Sequence, residues 1–313
     1  MIRQAAFVGN NKMLKGALHC HTTRSDGRLT PEEVMKLHKE NGYDFMALTD
    51  HRRYNFQNFA PETGLTIIPG MEFDNGESIP TEHGFRTFHT VCLGPNKEDG
   101  NGFNHDEEMP SANAPTQEAY QPYLDEIHAK NNLTIYCHPE WSCTPPRFFD
   151  KMQGNFAMEI WNSGCAMDND MDNNAAYWDD LLGRGIRLYG VATDDGHARR
   201  HHCKGWVMVN AENNVSSILN ALKNGAFYSS CGPEIYDLYF EDGKLVIDCS
   251  PVVKLRVHSD CHPTKVWYDP DGELMTHAWF DLVEHGQNYG YARMSIMDEQ
   301  GRYAWTNPIF FGE

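Results

Sequence analysis

The 313-residue sequence has no apolar run that approaches the roughly 18 residues of a membrane span. Its first segment, MIRQAAFVGNNKMLKGALHCH, also lacks the continuous apolar core of a secretion signal. Internal repeats and low-complexity tracts are absent too. We therefore expect an ordinary folded protein, located in the cytoplasm and without a membrane partner.

Cysteine pairs at informative spacings are also lacking. The nine cysteines are spread singly along the chain, which matches neither a disulfide framework nor a thiolate zinc site. We expect reduced, mostly buried thiols.

Basic residues are scarce, with 26 Lys and Arg against 44 Asp and Glu and a formal net charge of −18. Such a chain repels a phosphate backbone at long range, so stable nucleic-acid binding is not expected. What the chain does have is carboxylates and 16 histidines, the ligand types that hard and borderline metal ions require.

The pattern along the chain changes near residue 230. From Gly16 to Ser230, short apolar runs alternate with amphipathic helical stretches, which predicts an α/β domain (residues 1–230) with a mostly parallel sheet or barrel. Residues 231–313 show alternating strands and turn signals, which predicts a small all-β domain of unknown role. The strands predicted before residue 200 are Ala17–His19, Phe45–Thr49, Leu65–Ile68, Phe88–Leu93, Leu133–Cys137, Ala157–Ile160 and Leu188–Ala192.

Four helices are predicted between these strands. The first has a capping box, in which Thr30 caps the helix, Pro31 occupies its first position and Glu33 closes the box; Gly42 follows its end. The other three are predicted over Glu118–Asn131, Asn174–Leu182 and Val215–Asn224. The polar stretch from Pro95 to Pro115 predicts a long loop that could cover a site.

Ionisable residues recur at the ends of the predicted strands. His19 and His21 are two residues apart in an extended segment, so both imidazoles face one side and can hold one metal ion. In β/α barrels the carboxyl ends of strands meet on one face, which brings distant positions together. The residues that could supply ligands there are His19, His21, Asp26, Asp50, His51, Glu72, His89, His138, Asp195 and His197.

Several assignments stay open at this point. Asp194 competes with Asp195 for the carboxylate role, and His83 competes with His89. Arg24, and Arg199 or Arg200, could stabilise charge in a transition state. Thr49, Asp50 and Asn162 are candidates for orienting the imidazoles rather than binding metal. Four C-terminal histidines are expected at the surface: His258, His262, His277 and His285.

The sequence resembles the PHP (polymerase and histidinol phosphatase) superfamily. The likeness lies in LHCHTTRSDG, ALTDH, PGMEF, FHTVCLG, YCHPEW and ATDDGH, in that order over roughly residues 15 to 200. The end of the chain, GRYAWTNPIFF, is similar to PHP proteins that append a small β-sandwich. The resemblance implies a distorted (β/α)7 barrel followed by that sandwich.

The resemblance also implies how the ligands divide among up to three metals, giving a trinuclear site. A first metal would be held by His19, His21, Glu72 and Asp195. A second would share Glu72 as a bridge and add His89 and His138. A third would be held by Asp26, His51 and His197.

We therefore expect a metal-dependent phosphoesterase that cuts a small phosphorylated metabolite or nucleotide with a water activated by two or three Zn, Mn or Fe ions. Catalysis would rest on Glu72, Asp195, His197 and Arg24. The alternatives are a nuclease or exonuclease, hydrolysis of an amide or lactone, and a non-catalytic binding module that the metals stabilise. The oligomeric state is not readable from the sequence.

Overall fold

The computed structural model describes residues 1–9, 12–95, 102–171, 174–262, 264–282 and 289–311. The five α-helices are α1 (Pro31–Glu40), α2 (Gln117–Ala129), α3 (Ser163–Asn169), α4 (Ala175–Gly183) and α5 (Val215–Lys223). The capping box of α1 is present in both directions between Thr30 and Glu33. Four of these helices match the predicted ones to within two residues at each end, whereas α3 was not predicted.

The strands up to residue 230 are β1 (Ile2–Arg3), β2 (Met13–Ala17), β3 (Phe45–Met46), β4 (Thr66–Ile67), β5 (Gly70–Asp74), β6 (Ile79–Thr81), β7 (Gly84–Arg86), β8 (His89–Leu93), β9 (Leu133–Tyr136), β10 (Asn155–Asn162), β11 (Tyr189–Thr193), β12 (Trp206–Asn210) and β13 (Phe227–Ser230). The later strands are β14 (Ile235–Glu241), β15 (Lys244–Val252), β16 (Lys254–Ser259), β17 (Val266–Trp267), β18 (Met275–Asp281), β19 (Tyr291–Met297), β20 (Tyr303–Thr306) and β21 (Ile309–Phe310).

Two sheets carry the part of the chain with the predicted ligands. In one, β2, β3 and β4 run parallel, and β12 pairs antiparallel with β2. The other has the order β5-β8-β9-β10-β11, in which β9, β10 and β11 are parallel. Isolated parallel bridges, Cys20 to Gly196 and His51 to Glu72, join the ends of these two sheets. The predicted mixed α/β class is confirmed, whereas a closed seven-stranded barrel is not shown.

One strand departs from the predicted parallel pattern. β8 pairs antiparallel with both β5 and β9. Its first residue, His89, is therefore at the same edge as the carboxyl ends of the parallel strands. Glu72 also differs from expectation, because it lies inside β5 instead of following a strand.

The C-terminal strands form two sheets around one apolar core. The first has the order β1-β14-β15-β18, and the second continues β13 through β20, β19 and β16 to β17. Leu238 and Ile247 of the first sheet pack with Val257 and Met294 of the second. Because β13 also pairs with β12, one sheet runs through both predicted domains. The division at residue 230 stays a prediction.

The described residues include no helix both long and apolar enough to cross a membrane. Six of the nine cysteines are buried, in line with the expectation of mostly buried thiols. The segment predicted as a loop has neither helix nor strand over residues 102–115, and its earlier part, 96–101, lies outside the described residues.

Candidate metal centre

His19 and His21 follow β2 and are fully buried. Their Nε2 atoms are 3.1 Å apart. Cys20, between them, points the other way: its backbone N–H donates to the Thr49 hydroxyl and its thiol to the Ala47 carbonyl. The alternation that the sequence predicted thus brings both imidazoles to one side.

Glu72 lies at the centre of the imidazoles. Its side chain is 1% exposed, and both carboxylate oxygens face histidine nitrogens. Oε2 is 3.2 Å from His21 Nε2 and 3.1 Å from His51 Nδ1. Oε1 is 2.9 Å from His89 Nδ1, 3.3 Å from His138 Nε2 and 3.5 Å from His19 Nε2. One carboxylate therefore contacts imidazoles from all the predicted ligand sets.

Asp195 supplies a second buried carboxylate after β11. Its Oδ1 lies 3.3 Å from His19 Nε2 and 3.1 Å from His21 Nε2. Asp195 has φ +46° and His138 has φ +26°, a region that residues other than glycine rarely adopt. Such conformations cost free energy and cluster at functional sites, where the surrounding structure imposes them.

Asp26, His51 and His197 form the outer side of the cluster. Asp26 Oδ1 is 3.3 Å from His197 Nε2, and Asp26 Oδ2 is 3.6 Å from His51 Nε2. His21 belongs to this group as well, because its ring stacks on that of His197 with centroids 4.2 Å apart. The structure thus brings all the predicted ligands into one cluster.

The geometry distinguishes Asp194 from Asp195 and His83 from His89. The Asp194 carboxylate points away from the cluster and accepts the backbone N–H groups of Cys203, Lys204 and Gly205. His83 sits in the β6–β7 turn with 86% of its side chain exposed. Asp195 and His89 are the residues that face Glu72 and the imidazoles.

Glu159 is a buried carboxylate that the sequence reasoning missed. His19 Nδ1 contacts its Oε1 at 2.7 Å, the Thr193 hydroxyl donates to Oε1, and the His138 backbone N–H donates to Oε2. Asn162, one of the predicted orienters, donates to Glu159 and to Asp195. A charged residue within the apolar run of β10 was the available signal, since buried charges need partners.

Asp50 has the orienting place that was expected of it. It accepts the backbone N–H and hydroxyl of Thr22 and the hydroxyl of Ser25, and Ser25 Oγ lies 3.3 Å from His21 Nδ1. These contacts hold the loop after His21 against the cluster.

The predicted arginines do not line the histidine cavity. Arg24 donates to Asn55 and pairs with Asp106, and it lines a neighbouring cleft together with Asp26 and His51. Arg200 pairs with Asp168, whose side chain does line the cavity. Arg24 therefore lies beside the cluster, engaged with protein groups.

Nearby carboxylates raise the pKa of two imidazoles of the cluster, whereas burial lowers the pKa of His89 despite its contact with Glu72. Burial alone lowers the pKa of His51, but Glu72 and Asp26 outweigh it and raise the value to about 11. For His197, burial is outweighed by Asp26 and Asp195, so its pKa rises to about 9. Burial raises the pKa of Glu72, yet the surrounding imidazoles hold it well below its usual value. Negatively charged carboxylates and positively charged imidazoles thus stabilise each other in the cluster.

The cluster opens into a cavity of about 210 Å³. Trp141, 39% exposed, forms part of its wall, with its ring centroid 5.0 Å from that of His138 and 5.8 Å from that of His89. The 102–115 segment borders the neighbouring cleft instead, where Glu108 and Met109 line one side.

The buried polar atoms test whether these residues suit metal ions. Within the described part of the chain, Asp195 Oδ1 and His51 Nδ1 are buried and have no hydrogen-bond partner, although His51 Nδ1 lies 3.1 Å from Glu72. Buried polar atoms require partners. Close nitrogen and oxygen atoms that do not bond each other suit a shared cation, and imidazole with carboxylate is a set that Zn, Mn and Fe accept. The residues fit.

One family model and several solved structures are similar to this chain. Residues 17–140 match the model of the PHP domain. No curated protein matches the chain. A solved two-domain protein from Bacteroides vulgatus, containing a predicted PHP-like metal-dependent phosphoesterase, is 14% identical over 96% of each chain with a TM-score of 0.47. An amidohydrolase from Chromobacterium violaceum, solved with sulfate and without metal, is 16% identical over 59% of this chain and 88% of its own, with a TM-score of 0.41.

The matched stretch contains His19, His21, Asp26, His51, Glu72, His89 and His138. Asp195 and His197 lie beyond it and join the cluster in space. Residues 17–140 thus match the PHP domain that the motifs resembled.

Proposed function

We propose that this protein hydrolyses a phosphoester in a small phosphorylated metabolite or nucleotide. The observation that carries the proposal is the cluster of predicted nitrogen and oxygen ligands, seven of which line one cavity. We further propose that the two sheets joined by the Cys20–Gly196 and His51–Glu72 bridges correspond to a distorted (β/α)7 barrel.

Two or three divalent ions, of Zn, Mn or Fe, are proposed for the cluster. One would be held by His19, His21, Glu72 and Asp195; one by Glu72, His89 and His138; one by Asp26, His51 and His197. Divalent cations, when bound, lower the pKa of water and compensate the negative charge on phosphoryl oxygens.

The chain's own groups prepare this chemistry. With His19 Nδ1–H donating to Glu159, the Nε2 lone pair of His19 faces Glu72 and Asp195. The same carboxylate fixes the His138 backbone. Orienting contacts of this kind hold ligands in place and raise their basicity. Trp141 covers one side of the cavity beside the cluster.

A small substrate is favoured over a polynucleotide. The cleft next to the cluster contains Arg24, Arg52 and Arg53, but each guanidinium already has a carboxylate partner: Asp106 for Arg24 and Arg53, and Asp74 for Arg52. A basic track for a nucleic-acid backbone would need cations that are not neutralised in this way.

Release of phosphate from monoesters, and chromatographic detection of the monoester formed from diesters, test the proposal directly. The full chain would be assayed against a panel of sugar phosphates, nucleotides and phosphodiesters, with metal content measured on the same sample before chelation and after addition of Mn or Zn. We expect release that follows metal occupancy. Asp195→Asn, checked for folding by circular dichroism, should lose that release, and Asp125→Asn, exposed on α2, is the matched control.

The proposal is contradicted by one clear outcome. Protein that holds two or more metals, releases no phosphate from any monoester and forms no monoester from any diester would exclude the phosphoester and leave a carbonyl substrate or a binding role.

A further inference from the structure

A second cavity, of about 580 Å³, lies between β10 and the C-terminal sheet of β16, β19 and β20. It shares no lining residue with the cavity of the metal cluster. Its volume is in the range of small-molecule sites, about 300–1,000 Å³. We call it the sandwich cavity.

Cations dominate one wall of the sandwich cavity. Lys254, Arg256 and His258 alternate along β16, so their side chains share one face of the strand. Within the described residues, the side chains of Lys254 and Arg256 form neither an ion pair nor a hydrogen bond, and no lining residue is acidic. In a chain of net charge −18, a wall with uncompensated cations selects for an anion.

Aromatic rings line the same cavity on β20, two strands from β16, and on β10. Tyr303 and Trp305 are stacked, with centroids 5.7 Å apart and planes inclined by 19°. Trp161 lies 6.5 Å from Trp305 at 32°. Flat aromatic surfaces of this size stack well on a planar ring, and such stacking tolerates different bases.

The Ser295 hydroxyl lies between the cations and the aromatic rings. His258 Nε2 is 2.9 Å from the Ser295 hydroxyl, and His258 Nδ1 is 3.1 Å from Asp179. Asp179 is itself paired with Arg293, so its charge is compensated away from the cavity. Ser295 thus offers a positioned hydroxyl beside the cations.

We propose that the sandwich cavity is a binding site for a nucleoside phosphate, separate from the metal cluster. The phosphate would lie against Lys254 and Arg256, and the base would stack on Trp161 and Trp305. Trp161 is on β10, between Glu159 and Asn162, both of which contact the candidate metal ligands. A nucleoside phosphate bound at Trp161 would therefore contact β10, the strand that orients the candidate metal-binding residues.

The test is calorimetric titration of the full chain as purified, with adenosine 5′-methylenephosphonate, which cannot be hydrolysed at an ester bond. Adenosine and inorganic phosphate are titrated in parallel. Lys254→Gln/Arg256→Gln removes the two cavity cations. Lys39→Gln/Lys223→Gln removes the same charge from exposed positions on α1 and α5 and is the matched control.

We expect the phosphonate to bind more tightly than adenosine or phosphate. Its affinity should fall by at least about tenfold in the cavity variant, as for loss of a charge-assisted hydrogen bond, and stay unchanged in the control. Trp161→Leu should lower the affinity for the phosphonate without lowering the affinity for phosphate. Absence of binding, equal affinity for phosphate and phosphonate, or equal affinity in the two double variants would each overturn the proposal.

Discussion

Histidines occur in two opposite electrostatic settings in this molecule. Around Glu72 and Asp195 carboxylates dominate, and the pKa of His51 rises to about 11. In the C-terminal sheet, burial beside the Arg293 guanidinium lowers the pKa of His258 to about 4, although Asp179 opposes the shift. Histidine side chains thus lie among carboxylates in the metal cluster, whereas His258 is kept neutral beside a guanidinium in the C-terminal sheet.

The difference shows why residue type alone does not identify a ligand. His258 was expected at the surface, and this expectation was wrong: its side chain is only 10% exposed and is bonded to Asp179 and Ser295. His277 is on the surface, with a 53% exposed side chain. His285 lies outside the described residues. The neighbouring charges, which come from distant parts of the chain, decide the role.

The largest effect is expected at Glu72. Glu72→Gln keeps the shape but removes the charge that faces the imidazoles, so we expect loss of bound metal and an activity at least about 1,000-fold lower. Metal analysis and kinetics on the same sample measure this. Glu118→Gln, exposed on α2, should match the wild type in both. Full metal content with normal activity would remove Glu72 from the centre of the site.

A second prediction concerns the ion pair between α4 and the C-terminal sheet. Arg293 is fully buried and donates to both oxygens of Asp179, which is 30% exposed. Asp179→Asn leaves a buried guanidinium without its anion, which should lower the free energy of unfolding by about 3 kcal/mol. Urea unfolding measures it. Asp248→Asn, whose partner His277 is exposed, should cost under about 1 kcal/mol. Equal costs would show that the burial of Arg293 is not important.

A third prediction follows from the lowered pKa of His258. An unfolded histidine takes up a proton near pH 6.5, whereas the folded one does so only near pH 4. The unfolded state therefore binds more protons between these values, and stability falls as the pH drops through this window, by about 1.4 kcal/mol per unit and roughly 3 kcal/mol in all.

His258→Gln should remove that part of the acid sensitivity. The groups facing His258 are Asp179, Arg293 and Arg256, and they remain in the variant. Stability curves from pH 7 to 4 would be compared with those of His277→Gln, the exposed control. Parallel curves for wild type and His258→Gln would show that His258 is not held neutral.

Local signals predicted local structure well. The capping box of Thr30 and Glu33 placed α1, and the apolar runs placed most strands before residue 200 to within a few residues. The clustering of the ligands followed from one rule on strand ends. Antiparallel β8 was not predictable, because strand direction depends on pairing with β5 and β9, which no local pattern encodes.

The supporting residues were harder to predict than the ligands. Glu159 is far in sequence from His19, and only the fold makes it a partner. The continuity of one sheet from β2 to β16 was hidden for the same reason, since β13 and β20 come from either side of the predicted domain boundary.

The smallest expected effect is that of Glu159→Gln. Its carboxylate contacts the His19 ring and accepts the His138 backbone N–H on different oxygens. An amide has one acceptor, so one of these contacts becomes a repulsion between two donors. We expect metal affinity about 10–100-fold weaker, measured by competition with a chelator, with the fold retained.

The comparison with Glu212→Gln, exposed before α5, separates orientation from charge. If Glu159 only added negative charge near the cations, Glu159→Asp, which keeps the charge on a shorter side chain, would bind metal as the wild type does. A carboxylate that orients His19 must reach its Nδ1 atom, so Glu159→Asp should also weaken metal binding. Should Glu159→Asp match the wild type, the role of Glu159 as an orienting residue would be wrong, and the contrast between the two histidine environments would rest on net charge alone.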